Sequence, residues 1–161
     1  MAKKKPVVLD SSGNFQQLQS GDFIGDESYI SQTNGEATTI VVGTPVYKTT
    51  NANEVKKSKA DASGTMKVIG LVADTAGIAS AAAGNIQIEG TISLTTAQWD
   101  AVAGTSGGLT AGTTYYASAT SAGILTATAP STATQYVQKV LLALSTTDAI
   151  LLCATAEAIK L

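Results

Sequence analysis

Apolar residues in this chain come in short runs, many of them β-branched, broken every few positions by Gly, Asn, Ser or Thr. This texture predicts the strands of a small sandwich or barrel, because a pleated strand crosses a thin core in only a few residues. Expected strands cover 38–42, 45–49, 54–57, 66–73, 85–93, 114–119, 124–127, 136–144 and 149–154. The run Lys67-Val68-Ile69-Gly70-Leu71-Val72 is almost continuously apolar, the pattern of a strand buried on both faces. Ile86-Gln87-Ile88-Glu89 and Ile92-Ser93-Leu94 alternate with a period of two on either side of Gly90, which should kink or bulge the chain. One short helix is predicted near 95–103. Thr95 and Gln98 form a capping-box pair, Ala103-Gly104 supplies a stop, and Trp99 and Val102 share the face that would pin the helix to a sheet.

Residues 1–34 have a different pattern and are expected to form an extended N-terminal arm ahead of a β body spanning 35–161. The arm has a basic start, a short strand at 6–9, a turn at 11–14 and an acidic, glycine-bearing stretch at 21–28. A segment this polar orders by lying along a partner. Its spaced apolar residues Phe15, Leu18, Phe23, Ile24 and Ile30 are the expected contacts. Within the body a unit recurs. Gly43-Thr44-Pro45-Val46-Tyr47 is similar to Gly112-Thr113-Thr114-Tyr115-Tyr116, an offset of 69 that also relates Ala60 to Ala129 and Val68 to Val137. The fold class expected is all-β, with two related β units over 38–94 and 107–156 joined by the short helix.

Composition narrows the function. Charged residues make up 14% of the chain and aromatics 5%, and the formal net charge is -2. Globular proteins average about a quarter charged. A mildly apolar surface with so little charge should be hidden against neighbours, so a homo-oligomer or a lattice is expected. All the basic residues are lysine, and a chain with no arginine and no basic excess is poorly suited to nucleic acid or to an anionic membrane. No run approaches the ~20 apolar residues of a membrane span, and no signal peptide is visible. Synthesis in the cytoplasm is expected.

Catalytic chemistry has little to work with. The chain contains no histidine, which removes the usual general base and every Ser–His or Cys–His pair. Cys153 is alone, in an apolar run, and reads as a buried thiol. The carboxylates are scattered, and Asp61 and Asp74 precede Ser/Thr-rich turns. Ser106-Gly107-Gly108 lacks the lysine of a phosphate-cradling loop. No catalytic residue, metal ligand or cofactor is assigned. Trp99, Tyr47, Tyr115 and Tyr116 could stack on sugar rings as a carbohydrate-binding module, but they serve a core more simply.

The stretches Gly90–Val102 and Ser106–Tyr116, with Ala129-Pro130-Ser131-Thr132 and Ala143-Leu144-Ser145-Thr146-Thr147, resemble small virion proteins of tailed bacteriophages. So does the opening, through Val8-Leu9-Asp10 and Leu18-Gln19-Ser20-Gly21-Asp22. Such modules occur in head-decoration (cement or head-fibre) proteins and in tail-fibre or baseplate subunits. The resemblance implies a structural protein of the virion with no enzymatic activity, assembled in many copies and often as a trimer. Its partners would be the major capsid protein or other virion subunits. The head surface is favoured, with a tail-fibre base or baseplate adaptor as the alternative.

Overall fold

The computed structural model describes residues 7–9, 15–17, 28–153 and 159–161. The chain is all-β with one short helix. Its strands are β1 (Val7–Leu9), β2 (Phe15–Gln17), β3 (Ser28–Asn34), β4 (Pro45–Lys48), β5 (Glu54–Lys57), β6 (Val68–Val72), β7 (Ala83–Glu89) and β8 (Thr91–Ser93). Helix α1 (Thr96–Ala103) follows, and then β9 (Thr114–Ala117), β10 (Leu125–Thr126), β11 (Tyr136–Val137), β12 (Lys139–Ala143), β13 (Asp148–Leu151) and β14 (Ile159–Lys160). β1 pairs with β2, and β11 with β14, as small antiparallel ribbons.

The other strands make two bodies. Strands β3-β5-β4-β6-β7 close into a barrel, while β10-β9-β12-β13-β8 form an open sheet. Closure depends on the length of β3. Six of its residues pair antiparallel with β7, and its last two, Thr33 and Asn34, reach Glu54 and Val55 of β5 in parallel. β3 falls within the stretch expected as an arm, so its residues belong to the body. Residues 38–42, expected as a strand, form only the bridge between Ile40 and Ile78. The chain then turns: the Thr44 N–H donates to the Val41 carbonyl, and Gly43 adopts φ 80, a left-handed conformation open to glycine.

The two bodies share one plan. β4 is flanked by β5 and β6, β6 by β7, and β7 by β3; β9 is flanked by β10 and β12, β12 by β13, and β13 by β8. Even the irregularities correspond. The β4–β6 ladder slips between Val46 and Tyr47, opposite Ile69, and the β9–β12 ladder slips between Tyr115 and Tyr116, opposite Val140. Gly43 donates to the Val72 carbonyl as Gly112 does to that of Ala143, with φ 80 and 77. The expected offset holds for β4 and β9 but drifts afterwards. Val68 and Lys139 are the equivalent pair, each opposite a matched tyrosine, so Val137 is two positions out of step. Helix α1 does not join the units. It sits inside the second, between β8 and β9, and the units meet at Gly90, with φ 86, between β7 and β8.

Two cores result. Ile40, Val46, Val55, Val72, Ile78 and Ile86 fill the barrel. The second, larger core lies between the outside of the barrel, through Val42, Val68 and Leu71, and the inner face of the open sheet, through Ile92, Tyr115, Leu125, Leu141 and Leu151. Strand β6 therefore feeds both cores, as its continuous apolar run predicts. Each such side chain contributes about 1.5–3 kcal/mol when fully buried. Helix α1 inserts Trp99 and Val102 into the second core. Its capping box is complete at Thr95 and Gln98, Gly104 at φ 61 ends it, and the Trp99 indole N–H donates to the Thr147 carbonyl at 2.8 Å.

A buried side chain also fastens the bodies together. Gln138 accepts from the Val68 N–H at 2.8 Å and donates to the Val68 carbonyl at 3.0 Å, pairing with β6 as a neighbouring strand would. Backbone bonds from Ala60 to Ser118 and from Gly123 to Ser58 add to the join.

Candidate functional site

Several of the described carboxylates are occupied with turns. Asp100 accepts from the N–H groups of Gly108 and Gly107 and from the Thr105 hydroxyl. These bonds, the one from Gly108 foremost, hold its carboxyl below the ordinary aspartate value. Asp148 accepts from the hydroxyls of Ser145, Ser93 and Thr147 and is lowered in the same way. Glu54 is lowered by hydrogen bonds from Thr49 and then Asn51. Asp74 holds the backbone and side-chain amides of Asn85, and Asp61 pairs with Lys59 at 2.6 Å. In four of these cases the carboxylate is hydrogen-bonded to groups of its own chain, and Asp61 is paired with a neighbouring lysine. Among the described residues no group of three or more His, Cys, Asp or Glu side chains is placed to hold a metal ion. No helix there is long and apolar enough to cross a membrane.

The aromatic residues with sugar-stacking potential divide. Trp99 and Tyr115 are buried, with the Tyr115 hydroxyl accepting from the Thr110 N–H, while Tyr47 and Tyr116 are half-buried on separate sheets. Cys153 is buried. The grooves over the described residues include shallow, neutral ones. One of about 260 Å³ is lined by Ser118, Thr120, Thr126, Thr128, Ser131 and Thr132, among others, with no charged group.

Of the residues expected to contact a partner, Phe15 begins β2, where it pairs with Leu9. Ile30 is half-buried against the barrel core. Leu18, Phe23 and Ile24 lie outside the described residues.

A surface not singled out in the sequence is more distinctive. The outer face of the open sheet carries a row of directly opposed residues, Thr91, Ile150, Leu142 and Thr114, crossing β8, β13, β12 and β9. Ile150 is 37% exposed and Leu144, at the end of β12, is 53% exposed. A sheet with one solvated face should alternate apolar and polar residues. Here aliphatic residues stand on both sides of β12 and β13, and the signal was present in Leu141-Leu142 and Ile150-Leu151. Those doublets are more than a one-sided core requires. Comparison of the chain with protein-family models and with curated proteins gives no match.

Proposed function

We propose that this protein is a non-enzymatic structural subunit of a tailed-phage particle that binds the head surface as a decoration protein. What supports the reading is the aliphatic outer face of the open sheet, on an all-β body in which the carboxylates of Asp100 and Asp148 are held by its own turns. A molecule built this way has adhesion to offer and little chemistry. Repetition over a symmetric lattice multiplies a modest interface through avidity. The phrases similar to virion proteins add the particle, and the head is favoured over the tail.

The test is co-sedimentation of purified protein with mature, expanded capsids of the phage that encodes it, followed by electron microscopy of the complex. Binding at many regular sites on the head supports the proposal. Density confined to the tail would transfer the role to a fibre base or baseplate adaptor, and absence from both would end the virion reading.

A further inference from the structure

The barrel closes on a narrow seam. β3 pairs with β7 through six residues but with β5 through only two, Thr33 and Asn34. Beside them Gln32 Oε1 is buried with no partner among the described residues. Parting the seam lets water reach that oxygen and leaves β3 fixed on β7. The second body shows that the plan tolerates this, for the same strand order stands there with β8 and β10 unjoined.

Reactive chemistry sits on the seam. Of five asparagines only Asn34 precedes a glycine, the neighbour whose backbone nitrogen is least shielded from attacking the asparagine amide. Asn34 is 1% exposed. Its Oδ1 accepts from the Glu36 N–H at 2.7 Å, an Asx turn spanning Gly35, and its Nδ2 donates to the Thr38 and Ile78 carbonyls at 2.9 and 2.7 Å. The nitrogen that would attack is engaged across the seam, where the Gly35 N–H donates to the Val55 carbonyl at 2.9 Å. Glu54 of β5 adds to the block. Its side chain packs so closely on Gly35 that a Cβ there would sit 2.5 Å from its Cδ, and its negative charge opposes loss of the nearby N–H proton.

We propose that Asn34-Gly35 is a modification site gated by the β3–β5 seam: its amide is lost only while the seam is parted, and the loss keeps the seam from closing again. In the step, the Gly35 nitrogen gives up its proton and attacks Asn34 Cγ. The Cγ–Nδ2 bond breaks, Nδ2 leaves as ammonia with an equivalent proton, and a succinimide ring closes. Water then opens the ring at either carbonyl to give aspartate or isoaspartate, and it is the only co-reactant. Aspartate replaces two donors facing the Thr38 and Ile78 carbonyls with a buried carboxylate. Isoaspartate lengthens the backbone by one atom just before the bond from Gly35 to Val55. Either product makes a reversible opening permanent. Such a latch needs no capsid and stands apart from the virion reading.

Peptide mass mapping of the full chain, aged at mildly alkaline pH with and without urea, measures the gate. In urea Asn34 should lose its amide fastest of the five asparagines, and in the native state at least about 100-fold more slowly. Val55→Ala, which loosens the core under the seam, should speed the native loss at least about 10-fold. Val102→Ala, in the second core, should leave it within about 2-fold. Asn34→Asp should lose hydrogen-exchange protection at the Thr33 and Gly35 amides, which bond across the seam, and keep it at Leu144 in the open sheet. If that variant does not fold, the ageing rates of the other three chains decide alone. Equal rates with and without urea, equal acceleration by the two valine variants, or full protection of Gly35 in Asn34→Asp would each overturn the proposal.

Discussion

Barrel and open sheet follow the same strand order with the same bulge, yet one closes and the other does not. The cause is the length of one strand. β3 has seven residues and reaches β5, whereas its counterpart β8 has three and gives way to a helix. Edge closure in the barrel comes from backbone pairing; in the open sheet Trp99 and Val102 of α1 plug the space beneath it. The same topology can thus finish its core with a hydrogen-bonded seam or with one large side chain. The second solution leaves free edges and an outer face for other uses.

The comparison breaks most severely at the plug. Trp99→Ala should cost about 3–5 kcal/mol in urea unfolding. Because the core it fills also contains Val68 and Leu71 of the barrel, one transition should move as a whole. Two separate transitions would mean that the bodies are independent. Next comes the fastening between them. Gln138→Ala strands the buried N–H and carbonyl of Val68 and should cost about 2–4 kcal/mol by the same assay. A loss under about 0.5 kcal/mol would show that the amide bridge contributes nothing.

The matched glycines sharpen the contrast at smaller scale. A methyl at Gly43 would meet Leu94 at 2.8 Å and Val102 at 3.2 Å, whereas one at Gly112 meets nothing within 4 Å. Both sit at positive φ, so each alanine costs about 1–2 kcal/mol in backbone strain. Gly43→Ala should add the cost of the clash and lower the melting temperature further than Gly112→Ala. Equal shifts would remove the assigned difference in surroundings.

The smallest effect is expected from acid. The carboxyls of Asp100 and Asp148 are held below their ordinary value of 3.8, so their contribution is present above that pH and is lost as pH falls through the folded values. Stability should decline below about pH 4, and the double variant Asp100→Asn, Asp148→Asn should show a flatter acid limb. An unchanged acid limb would show that these turns do not depend on ionised carboxylates.

Much of this architecture is legible in the sequence because local rules govern it. Thr95, Gln98 and Gly104 specify the helix ends by short-range hydrogen bonds, the apolar run at 68–72 marks a strand with two buried faces, and Gly90 marks the break between β7 and β8. What is not legible depends on pairing at long range. Ser28–Asn34 is polar at every position but Tyr29 and Ile30, so only its partners β7 and β5 reveal it as a barrel strand. Val68 and Val137 align as letters, but their ladders place Lys139 against Tyr116, a register that only the sheet defines. The outer face was missed because a residue in an apolar run does not show which side of the sheet it takes. Gln138 gives no sign at all, since a buried amide acting as a strand's neighbour looks like any polar residue between two short runs.

Gly90 is the whole of the covalent link between β7 and β8, and the Gln87 amide donates to carbonyls on both sides of it, those of Glu89 and Thr91. A joint of one residue clamped across its own bend behaves as a strut, not a tether. Load applied along the chain crosses this joint without slack, and a few glycines spliced in at this point would loosen the covalent path while the shared core and the Gln138 bridge still held the halves together.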